Sequence, residues 1–151
     1  MAFISSTQVA IATGQAMAQF DFFCRPIIIY KQPTENVVSA PSDVLYGYGE
    51  EQATNSQVTY TNVSATHSGI IIYPFKNRNN LQGGYIDNKI VLDPNKTYIK
   101  VKQAGRDYIL NGNKTEKLEF DGQTWNLESQ RYQVQTYCGL NFYYFATEGT
   151  N

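Results

Sequence analysis

The segment Leu118-Glu119-Phe120-Asp121-Gly122-Gln123-Thr124-Trp125 constrains this chain more than any other. An Asp-Gly pair accepts positive φ at both of its residues, and its backbone twist matches that of the strands flanking a tight hairpin. Alternation on either side predicts a β-hairpin over 118–127 with Trp125 on its inner face. Asn111-Gly112 is a second pair of this kind, and Asp93-Pro94-Asn95 is a turn. Behind that turn, residues 97–102 alternate, directing Ile99 and Val101 to a core and Lys100 and Lys102 to water.

Other strand-like runs extend this pattern over most of the chain. Ile27-Ile28-Ile29-Tyr30 is continuously apolar and reads as a strand buried on both faces, with Phe22-Phe23-Cys24 before it. Val58-Thr59-Tyr60-Thr61 and residues 69–73 are further strands. Tyr132, Val134, Thr136 and Cys138 share one face of another, opposite Arg131, Gln133, Gln135 and Tyr137. The last strand, 140–145, is aromatic on both faces. Twelve tyrosines and eight phenylalanines suit strands better than helices.

The first twenty residues differ. They carry no charge; Ser5 or Ser6 caps a predicted helix to about Phe20, with Val9, Ala12, Ala16 and Phe20 as its apolar stripe. A solvated helix normally carries charge on its outer face, so this one is expected on its own sheet or on a neighbouring subunit. Two segments lack periodicity: the excursion 34–57, and the loop 74–84 with Lys76, Asn77 and Arg78. The expectation is a mainly β fold: one domain over 1–151, a small β-barrel with a short N-terminal helix and two long loops. Within it, 1–20 form a helical arm, 21–146 the barrel and 147–151 a tail.

Charged residues make up 17% of the chain, against roughly 25% in a typical globular protein, which points to surface covered by partners. The net charge of −1 gives no global field for nucleic acid, so any DNA contact must be local to a loop. No apolar run approaches the roughly 18 residues of a membrane helix. No basic residue precedes Arg25, so a secretory signal is not expected and the protein reads as intracellular at synthesis. Cys24 and Cys138 pair with each other or stay as buried thiols.

Catalytic constellations are missing. His67 is the only histidine and reads as a solvated residue in a polar turn. Two distant cysteines and one histidine do not make a zinc site, and no glycine-rich piece fits a phosphate-binding loop. The expectation is no enzyme, no metal and no cofactor.

The order of segments then adds something. A helix precedes Ile27-Ile28-Ile29-Tyr30-Lys31; next come Leu45-Tyr46-Gly47-Tyr48-Gly49-Glu50, the loop 74–84, the stretch from Gly112 to Gly122 with Trp125, and Tyr143-Tyr144-Phe145. This series resembles the head-closure, or stopper, proteins in the neck of tailed bacteriophages. The resemblance covers most of residues 6–147 and rests mainly on the Leu-Tyr-Gly-Tyr-Gly-Glu piece and the Lys-Thr-Glu hairpin. It implies a virion structural protein, assembled in the host cytoplasm, forming a homo-oligomeric ring of roughly six or twelve copies. The implied partners are portal or adaptor proteins, the tail terminator and packaged DNA, with no membrane. It also implies that Lys76, Asn77 and Arg78 line the DNA channel, while Phe20, Tyr46, Tyr48, Tyr143 and Phe145 are candidate inter-subunit contacts. The other readings are an adaptor, a tail terminator, a decoration or receptor-binding domain, and a small enzyme whose turnover would depend on His67.

Overall fold

A computed structural model describes residues 5–38, 57–74, 90, 92–137 and 139–150. Helix α1 (Ser6–Phe23) leads into strands β1 (Arg25–Val38), β2 (Gln57–Ile72) and β3 (Thr97–Val101). Helix α2 (Gln103–Leu110) follows, then β4 (Thr115–Phe120), β5 (Gln123–Tyr137) and β6 (Leu140–Gly149). The six strands form a closed antiparallel barrel in the order β1-β2-β3-β6-β5-β4.

The Asp-Gly hairpin forms as its chemistry dictates. Asp121 and Gly122 have φ of 52° and 72°, and they join β4 to β5 with Leu118 opposite Trp125. Trp125 stacks on Phe120 at 5.0 Å between ring centroids, on the inner face. The Asn111-Gly112 pair also has its positive φ, 75° at Gly112, but there it ends α2 rather than turning a hairpin.

Two apolar cores lie on opposite sides of the sheet. Inside the barrel pack Ile27, Ile29, Ile99, Val101, Leu118, Phe120, Tyr143 and Phe145, with Ile109 of α2 closing one end. Burying each such side chain fully contributes about 1.5–3 kcal/mol. Outside the barrel, Phe20 of α1 stacks on Phe142 at 5.3 Å, and Ile90 and Tyr144 complete that second core. The doubly aromatic β6 is explained by its place between these cores.

Some boundaries move. Ser5 caps α1 reciprocally with Gln8, but the helix runs to Phe23, so Phe22 and Phe23 are helical and exposed rather than strand residues. The first strong stop is Arg25-Pro26, because a residue before proline disfavours helical backbone. Cys24 is a free thiol whose Sγ donates to the Asp21 carbonyl; Cys138 lies outside the described residues. β6 continues past 146 to Gly149, and Thr147 is buried, donating to the Thr97 carbonyl. Lys100 does not reach open water: its ammonium lies 4.3 Å from the Phe142 ring centroid, and burial lowers its pKa. Ile28 and Tyr30, on the outer face of β1, are only half-buried.

Helix α2 was not legible in the pattern. It approaches β3 closely at Gly105, where an added Cβ would sit 3.0 Å from Val101 Cβ. At Gly69 an added Cβ would meet Ile27 Cδ1 at 2.5 Å and the Lys100 carbonyl at 3.0 Å. Both glycines allow the helix-capped end of the barrel to close tightly.

Candidate assembly surface

The strands are longer than the barrel they close. β4 pairs with β1 only over 28–31, and β3 pairs with β2 only over 69–72. Beyond these limits β1 and β2 pair, among the strands of the described residues, only with each other, as far as Val38 opposite Gln57. β5 behaves likewise: it pairs with β4 over 123–125 and with β6 as far as Tyr137. Both β1 and β5 run antiparallel to β4, so the two ribbons leave the same end of the barrel. That is also the α2 end, because β3 runs parallel to β1.

The β1–β2 ribbon corrects the expected excursion at 34–57: residues 34–38 and Gln57 are strand. Its polar sequence lacks an alternating apolar signal because no core lies beneath it. On one face Val37 is opposite Val58, and both are exposed, at 61% and 39%, with Tyr60 at 67% nearby. On the second ribbon Val134 and Tyr137 are exposed at 41% and 50%. A two-stranded ribbon is marginal in water by itself. α1, whose one charged residue is Asp21, adds exposed Val9, Ile11, Phe22 and Phe23, although its C-terminal end is anchored by the Phe20 contact and by Lys102 bonding Asp21 at 2.8 Å.

Between the ribbons sits a buried polar cluster. Lys31 donates to the Ile109 and Asn111 carbonyls, and its ammonium lies 5.3 Å from the Tyr108 ring centroid. Tyr108 in turn contacts His67, with ring centroids 5.0 Å apart. His67 is therefore a strand residue on β2, not a solvated turn histidine. Its Nε2 and the Tyr108 hydroxyl are buried without a hydrogen-bond partner, and burial lowers the His67 pKa. The cluster shapes the barrel end. It provides no nucleophile paired with a base, and among the described residues no group of three His, Cys, Asp or Glu side chains could hold a metal. At the other end, Tyr73 and then Arg25 hydrogen-bond Asp121 and hold its carboxyl below the usual range.

Of the residues expected to act, Phe20, Tyr143 and Phe145 are corrected. They are 2%, 5% and 0% exposed within the single chain, so they belong to the two cores and offer no free surface to a neighbour. Aromatic identity alone does not distinguish a core strand from an interface strand. Tyr46, Tyr48, Lys76, Asn77 and Arg78 lie outside the described residues. Sequence reading missed Val37, Val58, Tyr60, Val134 and Tyr137 as a set, since only the strand pairing places them on the two ribbons. No helix among the described residues is long and apolar enough to cross a membrane. The chain matches no protein-family model, no curated protein and no solved structure.

Proposed function

We propose that this chain is a structural subunit of an oligomeric ring, the head-closure ring in the neck of a tailed bacteriophage, which seals packaged DNA and docks the tail. The observation that carries the reading is the pair of ribbons that leave one end of the barrel with apolar side chains exposed. Ribbons of this kind are stabilised by further strands or by packing. A helix with Asp21 as its one charged residue and with exposed Phe22 and Phe23 adds apolar surface of the same sort. The resemblance in segment order supplies the phage assignment. A permanent ring of this type buries on the order of 2,000 Å² or more per contact. In this reading Lys76 and Arg78, repeated around the ring, concentrate positive charge on the DNA that a chain of net charge −1 lacks as a whole.

Electron microscopy of the purified protein, alone and with portal–adaptor complexes, tests the assembly. Rings with a central hole are expected; a protomer that stays single in both preparations rejects the reading. For the channel role, Lys76→Ala with Arg78→Ala is expected to keep the rings but to raise nuclease sensitivity of the packaged DNA. Full protection with both the double variant and a deletion of loop 74–84 removes that loop from the channel.

A further inference from the structure

A pocket lies on the outer face of the barrel where β5 and β6 change register. Leu127 pairs with Thr147 and Tyr132 with Phe145, so four residues of β5, Glu128 to Arg131, stand opposite Ala146 alone. Extra residues in one strand bend it and re-aim its side chains, and such bulges are frequent next to active sites. Here the bulged segment supplies Glu128, Ser129 and Arg131 to the lining of a pocket of about 210 Å³, and Ala146, the small residue opposite, lines it too.

The walls are tied down by contacts within the chain. Tyr98 of β3 is the partner of Ala146, and Tyr144 is two residues before Ala146 on the same face of β6. Both tyrosines line the pocket and are only 7% and 3% exposed. The Tyr98 hydroxyl accepts from the Asp93 amide at 3.0 Å, and the Tyr144 hydroxyl donates to Gln135 at 2.6 Å. Within the bulge the Arg131 amide donates to Ser129 Oγ at 3.3 Å, and Lys96, one residue before β3, forms an ion pair with Glu128. A site held in this way needs little reordering to bind.

The charges select the ligand. Among the described lining residues two are cations, Lys96 and Arg131, and one is an anion, Glu128, which leaves one positive charge in excess. Arg131 is exposed, and a guanidinium fork matches a carboxylate with two parallel hydrogen bonds. A phosphate group of about −1.5 to −2 exceeds that single charge and is repelled by Glu128. A carboxylate has about four acceptor positions, so Glu128 can bond Lys96 and also accept from a ligand hydroxyl, beside the Ser129 hydroxyl. Drug-sized ligands fill roughly 300–1,000 Å³, so this smaller pocket suits a single ring.

We infer that the pocket binds a hydroxylated ring with one carboxylate, of the chemical class of a uronic acid, with Arg131 on the carboxylate and Glu128 and Ser129 on the hydroxyls. A single chain holds every residue of this site, so it does not require the ring. Ligand-observed NMR titration of the full chain with glucuronate tests it. Saturable binding is expected, with glucose and inorganic phosphate each weaker by about tenfold or more. Arg131→Gln should weaken glucuronate binding by a similar factor and leave the melting temperature unchanged, since an exposed charge adds little to folding. Ala146→Leu keeps every charge but fills the pocket, and it should abolish binding. Glucose as tight as glucuronate would overturn the carboxylate contact, and phosphate as tight would mean a plain anion site and overturn the ligand class. The absence of saturable binding, or wild-type affinity in either variant, would overturn the site itself.

Discussion

Lys31 of β1 donates its ammonium to the Ile109 carbonyl at 2.7 Å, so a strand residue caps the C-terminal end of α2. A second bond reaches the Asn111 carbonyl at 3.1 Å. The last carbonyls of a helix lack intrahelical partners and carry its negative dipole end, and a buried cation answers both needs. Lys31→Met keeps much of the packing but removes the donor. It should lower stability by about 1.5–3 kcal/mol in urea melts, with loss of helical signal before the barrel unfolds.

Gly69 is a matter of space rather than of backbone freedom. A methyl group there runs into Ile27 Cδ1 and the Lys100 carbonyl. Gly69→Ala is expected to cost about 1–3 kcal/mol. Adding Ile27→Val removes the first clash, so the double variant should be more stable than the sum of the two single costs. Additive free energies in a double-mutant cycle would show that the backbone, not Ile27, sets the penalty.

Trp125 is stacked on Phe120 but only half-buried, and its Nε1 is buried without a partner. Trp125→Ala should cost about 3 kcal/mol, the lower end for losing a large aromatic. Trp125→Phe should cost much less, since it keeps a ring on Phe120 and removes an unsatisfied donor. Equal losses for the two variants in chemical denaturation would contradict this account.

His67 sets a pH dependence. Burial holds its pKa below 6.5 in the folded chain; the ring faces Tyr108 from α2, beyond which lies the Lys31 ammonium, and Ile27 is its partner on β1. The unfolded state binds the proton more readily. The stability from a neutral His67 is thus present in full above pH 6.5 and is lost as pH falls from there towards the folded value. Melting temperatures from about pH 8 to about pH 5 should fall more steeply for wild type than for His67→Phe. Parallel curves would place the titrating group elsewhere.

Local chemistry determined several features of this protein outright. The Asp121-Gly122 turn, the Ser5 cap and the inward pair Ile99 and Val101 each depend on a few adjacent residues, so they were legible in the sequence. Closure of the strands into a barrel also followed the expected class. Other features depend on partners distant in the chain. An eight-residue helix is marginal alone, and α2 exists because Ile109 fills the barrel end and Lys31, seventy-eight residues earlier, caps it. The sequence marked β6 as aromatic on both faces, but only closure of the barrel decided that Tyr143 and Phe145 are interior rather than offered to a neighbour, while the second core under Phe20 covers Phe142 and Tyr144. The ribbon at 34–38 and 57–61 was likewise hidden. Its two halves have no core to impose alternation, and the hydrogen bonds between them join residues that local pattern cannot relate.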